Sequence, residues 1–178
     1  MASYLSPCAR CGLLVRFMVE PDPEIPVVSV VELGIVRSVA WDAADPAMLV
    51  VRVTPTYSGC PATELIMASI RETLSALGIA RLRLETQLSP AWTTDWITPA
   101  ARHKLREYGI APPGGARSAA AAVRPIDVTG MSPLRRSSVV VPCPRCESTS
   151  TRLLSQFGST ACKAQYRCDD CLEPFDYF

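Results

Sequence analysis

Apolar and polar residues alternate twice in this chain, and a helical pattern lies between the two alternations. From Met48 to Thr54, Leu49, Val51 and Val53 interleave with Val50, Arg52 and Thr54, giving one apolar and one mixed face. That period of two predicts a strand. From Arg81 to Leu88, Leu82, Leu84 and Leu88 alternate with Arg81, Arg83, Glu85 and Gln87, so the three leucines are expected to face a core. Between these stretches Ile66, Ile70, Leu74 and Leu77 recur at helical spacing. Pro61 suits the first helical position, where its missing N–H would be unpaired in any case, and Gly78 marks a stop. Ile35 to Trp41 predicts another strand, joined to Met48–Thr54 through Asp42-Ala43-Ala44-Asp45-Pro46 as an antiparallel hairpin. Strand, helix and strand in succession call for a right-handed crossover and a parallel pairing. Thr98 is placed to cap a helix over Pro99 to Tyr108 that ends at Gly109. A first helix is expected over Cys8 to Glu20, with Leu13, Leu14, Phe17 and Met18 as its stripe and Pro21 as its end. The expected fold class is α/β: a small αββαβα domain with a mixed sheet over residues 1–111.

From Pro112 to Ser138 this patterning stops. Pro112-Pro113-Gly114-Gly115 and the Ala119–Ala122 run sit among Arg117, Arg124, Arg135 and Arg136, with Asp127 as the one acid. Residues 112–138 are expected to be a linker. Composition then excludes several classes. A net charge of +1 gives no global attraction to nucleic acid or to an anionic membrane. No apolar run approaches the roughly 20 residues of a membrane span. The residues Met1 to Pro7 lack the basic and then apolar stretches of a signal peptide. With eight cysteines and no such signal, the expectation is a reducing, cytoplasmic setting, where paired cysteines act as ligands or redox groups.

The strongest motif lies over residues 139–178. Cys143-Pro144-Arg145-Cys146 and Cys168-Asp169-Asp170-Cys171 are two CxxC pairs with 21 residues, 147 to 167, between them. Each pair can form a knuckle, and two knuckles supply the closed tetrahedral Cys₄ shell of a structural Zn²⁺. Strands are expected over Arg152–Phe157 and Lys163–Arg167 around the turn Gly158-Ser159-Thr160, which makes an all-β zinc ribbon. A module of about forty residues cannot bury enough core alone, so the ion supplies folding free energy. Iron is the competing occupant, since rubredoxin-type sites also use two CxxC pairs. Those knuckles carry Gly after the second cysteine, where Glu147 and Leu172 stand here. Four basic and five acidic residues give the ribbon a formal charge of −1, so it repels phosphate, and no nucleic-acid partner is expected. Cys162 is a fifth cysteine in the module, expected as a buried thiol, with a spare ligand or a partner contact as alternatives.

Gly59-Cys60-Pro61 places a cysteine between a strand and a helix start, where free amides and the helix dipole favour a thiolate. The plainer alternative is a small buried apolar residue. Cys8 and Cys11 have knuckle spacing without a second pair nearby, and no role is assigned to them. His103 lies among Arg102, Lys104 and Arg106 on an exposed helix and is expected at the surface. The chain lacks the Glu-x-x-His pairing of a di-iron bundle, and His103 is its only histidine.

Asp22-Pro23-Glu24-Ile25-Pro26, Glu32-Leu33-Gly34-Ile35-Val36 and Thr54 through Gly59-Cys60-Pro61 resemble the family of iron–sulfur assembly factors that includes SufT. The ribbon, with Phe157-Gly158-Ser159-Thr160-Ala161-Cys162-Lys163-Ala164 before Tyr166-Arg167-Cys168, resembles that of the PaaD family, accessory subunits of phenylacetyl-CoA epoxidase systems. The resemblance implies a protein that helps mature or repair a di-iron or iron–sulfur centre and does not itself epoxidise. It implies oxygenase and reductase subunits as partners and transient iron or a cluster as cargo. It also implies Cys60 as the reactive cysteine, with Asp22 and Glu24 as its acidic loop. Two other roles stay open at this point. One is a structural zinc-binding subunit with an inert Cys60. The other is a thiol redox protein, which needs a second cysteine near Cys60. A homodimer is in keeping with a small α/β domain that exposes strand edges.

Overall fold

The computed structural model describes residues 21–57, 59–114 and 140–178. The helix expected over Cys8–Glu20, with Cys8 and Cys11, and most of the expected linker lie outside the described residues. The first sheet is mixed. Strands β1 (Val36–Trp41) and β2 (Leu49–Val53) form the expected hairpin, antiparallel from Val36↔Val53 to Trp41↔Leu49. In the connection, the carboxylates of Asp42 and Asp45 accept the amides of Ala44 at 2.8 Å and Ala47 at 3.2 Å, the side-chain turns that such residues favour. Helix α1 (Ala62–Ala76) then crosses over, and β3 (Leu82–Thr86) returns parallel to β2, giving the order β1-β2-β3. Ala62, Ile66, Ile70 and Leu74 form the buried stripe of α1. Each of the larger three contributes about 1.5–3 kcal/mol by leaving water. They pack with Val51 and Val53 of the sheet and with Ile25, Val28, Val30 and Leu33 of the segment before β1.

The Arg81–Leu88 alternation is corrected at its far end. Leu82 and Leu84 are half-buried against the core, but Leu88 is 61% exposed. The strand ends at Thr86, so Leu88 lies past the last ladder bond and its parity no longer fixes a face. Helix α2 (Pro99–Tyr108) is built as its caps predict. The Thr98 hydroxyl accepts the Ala101 amide at 3.1 Å, and Gly109 closes the helix at φ 93°. Gly34 is constrained twice, by φ 71° and by Trp96, whose Cβ would lie 2.6 Å from an added Cβ.

The second sheet has the order β4-β7-β6-β5. Strands β5 (Thr151–Ser155), β6 (Ala164–Cys168) and β7 (Pro174–Tyr177) are antiparallel neighbours and make the ribbon. Its other edge is β4 (Ile110–Ala111), the two residues that follow α2, which run parallel to β7. The Phe178 amide extends this seam to the Ala111 carbonyl at 3.1 Å. The Phe178 ring meets Trp92 edge-on at 6.0 Å. The ribbon is thus hydrogen-bonded into the first domain. No helix among the described residues is long and apolar enough to cross a membrane.

Candidate metal centre and thiol site

Two groups of sulfur atoms stand apart in the fold. The first lies at the end of the ribbon. Cys143 and Cys146 flank one tight turn, while Cys168 ends β6 and Cys171 closes the turn after it. In each knuckle a backbone bond closes the loop, from the Glu147 amide to the Cys143 carbonyl at 2.9 Å and from the Cys168 amide to the Glu173 carbonyl at 3.0 Å. Glu147 and Leu172 take φ 60° and φ 65°. These are the positions where rubredoxin-type knuckles carry Gly, and the backbone conformation that Gly would ease is kept by other residues here. Ser148 and Asp170 hydrogen-bond across the two knuckles.

The four sulfurs lie within 4.8 Å of one another. Cys143 and Cys171 are 3.7 Å apart, and Cys146 and Cys168 are 3.6 Å apart. Sulfurs bound at about 2.3 Å around one tetrahedral Zn²⁺ would stand about 3.8 Å apart. The donor set and its spacing therefore fit the ion. Two of these thiols are shifted in opposite directions. The Cys171 amide lowers Cys168 to about 7. The Ser148 amide lowers Cys146, but contact with Cys168 and burial push it up to about 12.

The second group lies where the ribbon meets the first domain. Asp22 is buried, and its Oδ1 accepts the amides of Glu24 and Ile25, each at 2.9 Å. This fixes the acidic loop, so Asp22 shapes the backbone from which Glu24 projects. Burial raises the Asp22 carboxyl above its ordinary value, against those two amides. Cys60 is half-buried and stands one residue before Pro61, the N-cap of α1. The helix thus begins one residue later than the proline signal predicts. The Cys60 amide bonds to the Tyr57 carbonyl and its carbonyl accepts the Thr63 amide, both at 3.2 Å. The Tyr57 hydroxyl meets the sulfur, and Tyr57 is raised by loss of solvent and by the nearby charges of Cys60, Cys162 and Glu24.

Cys162 differs from the buried thiol expected of it. It is half-buried, and its Sγ donates to Glu24 Oε2 at 3.1 Å across a separation of 138 positions. Burial, with Glu24 beside it, pushes Cys162 up to about 12. Asp22, Glu24, Cys60 and Cys162 line one cavity of about 10 Å³, walled by apolar residues that include Val53, Ile66 and Phe178. Sequence reading gave Tyr57 no role. His103 is exposed and lies 3.2 Å from Glu107 of its own helix.

Residues 129–178 match the family described as PaaD zinc beta ribbon domain, and residues 21–80 match the family described as iron–sulfur cluster assembly protein. A protein of Escherichia coli (strain K12), named as one of the subunits of 1,2-phenylacetyl-CoA epoxidase, is 51% identical over 158 residues, covering 89% of this chain and 85% of that one. Two solved structures are also similar. A domain of unknown function from Bacillus anthracis is 25% identical, with a TM-score of 0.47, covering 53% of this chain and 88% of that one. A conserved hypothetical protein from Thermotoga maritima is 24% identical, with a TM-score of 0.44, covering 58% and 97%.

Proposed function

This chain belongs to the PaaD family of 1,2-phenylacetyl-CoA epoxidase components, and on that premise we propose that it serves such a system as a maturation factor rather than as the epoxidase. It assists the assembly or repair of a di-iron or iron–sulfur centre carried by an oxygenase or reductase subunit. Cys60 is the residue that takes up iron or a cluster and passes it on, with Glu24 beside it and Asp22 fixing the loop. The observation that carries this reading is the free, half-buried Cys60 thiol on a cavity shared with Glu24. Cys60, Glu24 and Asp22 lie in the segment matching the iron–sulfur cluster assembly family, and the ribbon adds Cys162 and Phe178 to the cavity wall.

Cys143, Cys146, Cys168 and Cys171 hold one Zn²⁺ in this reading. Four thiolates close the shell, so the ion holds the ribbon in shape and leaves no position for a substrate. The test is Cys60→Ser in the full chain, co-produced with the client subunits. Zinc content and melting temperature stay at wild-type values, while iron content and epoxidation of the client fall at least several-fold. Wild-type client iron and activity with Cys60→Ser would overturn this role.

A further inference from the structure

The four knuckle cysteines leave Cys162 over, and the fold holds it in place. Its turn is closed by the Gly158 amide on the Lys163 carbonyl at 2.6 Å and the Lys163 amide on the Thr160 carbonyl at 3.1 Å. The next side chain, Lys163, is buried, lies 3.7 Å from Asp176 and acts electrostatically on Asp22. The Lys163 ion pair holds the turn within the ribbon, and the contact that joins the turn to the first domain is that of Cys162 with Glu24. Cys162 is thereby aimed at Glu24 and reaches the same cavity as Cys60.

We propose that Cys60, Cys162 and Glu24 together form a site for one thiophilic divalent metal ion, with ferrous iron as the cargo, and that the site is complete only when the ribbon is docked. This rests on the reading of Cys60 as a cargo residue and adds the second sulfur. Two thiolates and a carboxylate select iron, cobalt or zinc over magnesium and calcium. The cavity of about 10 Å³ is at the lower limit for one water, the scale of a single ion. A sulfur and an oxygen on one tetrahedral ion stand about 3.5 Å apart, close to the 3.1 Å between Cys162 and Glu24. Among the described residues only the four knuckle cysteines already gather three ligand atoms within 4.8 Å. The ion therefore draws Cys60, Cys162 and Glu24 inward by rotation of unbranched side chains. Two metal–sulfur bonds and one metal–oxygen bond form. The S–H bonds still present break, their protons pass to solvent, and no electron moves.

Co²⁺ titration of the zinc-loaded full chain, without oxygen, tests this through the sulfur-to-cobalt charge-transfer band. Zinc is held at one per chain throughout. Wild type should bind one further Co²⁺. Cys162→Ser should halve the band and weaken binding at least about tenfold. Glu24→Gln should keep the full band and weaken binding by a similar factor. Cys162→Ser with full intensity and wild-type affinity would overturn the inference and leave the maturation role of Cys60 standing. So would Glu24→Gln with wild-type affinity, which serves if Cys162→Ser fails to fold. No further Co²⁺ in wild type would overturn the inference and, with it, Cys60 as a metal-ion carrier. A Cys60–Cys162 disulfide in place of metal binding would overturn it in favour of thiol redox chemistry.

Discussion

The two sulfur groups differ in how their donors are brought together. The knuckle cysteines come from one module, and two short loops hold them at sulfur separations of 3.6 and 3.7 Å. The cavity at Cys60 draws on three separate segments: the loop at Asp22–Glu24, the start of α1, and the ribbon turn at Cys162. Local loop geometry presets the first group. The second depends on the ribbon staying docked along β4 and β7. A closed thiolate shell suits an ion that stays, whereas a cavity closed by docking suits one that leaves.

Removing the Zn²⁺ proposed for the ribbon should break this contrast most severely. The ion's binding free energy in such modules is on the order of 10 kcal/mol. Chelation should therefore unfold β5 to β7 while β1 to β3 and α1 persist. Hydrogen exchange should show protection lost at Tyr166 and Phe175 and retained at Val51 and Ile70. Uniform loss across both sheets would contradict the separation.

Phe178→Ala strikes the seam instead. Losing the edge contact with Trp92 and part of the ring's burial should cost about 1–2 kcal/mol. Zinc stays bound while reactivity of the Cys162 thiol rises, as a thiol-labelling time course would reveal. Unchanged labelling would mean that docking does not shield Cys162.

Asp22 separates loop shape from charge. Asp22→Ala removes the acceptor of two amides and should cost about 1–3 kcal/mol in denaturant melts. Asp22→Asn keeps an acceptor and should cost little. Because burial raises the Asp22 carboxyl above 3.8, the folded state binds that proton more tightly than the unfolded chain. Its contribution to stability is full below 3.8 and is lost as pH rises through the folded-state value. Asp22→Asn should flatten that part of the pH–stability profile, and an unchanged slope would contradict the assignment. The smallest effect is expected at Glu147, whose φ of 60° costs a side chain about 1 kcal/mol. Glu147→Gly should stabilise the zinc-loaded ribbon by about that amount, read as a higher melting temperature.

Local signals carried much of this architecture. Thr98-Pro99 and Gly109 set both ends of α2, and the period-two runs placed β2 and β3, because caps and face alternation act within a few residues. The CxxC spacing pointed to the knuckle group for the same reason. Leu88 went wrong because alternation does not say where a ladder stops. The β4–β7 pairing spans only two residues of each strand, too few to leave a pattern. Cys162 and Glu24 meet only because the ribbon docks, a tertiary event with no trace in residue spacing. Tyr57 was illegible likewise, since its role comes from facing Cys60 across a turn.

The division between a resident ion and a transferred one is tested most directly by metal analysis after loading the full chain with ferrous iron in the absence of oxygen. The account predicts one zinc per chain in both wild type and Cys60→Ser, with additional iron in wild type alone. Equal iron in the two proteins, or loss of zinc from Cys60→Ser, would contradict it.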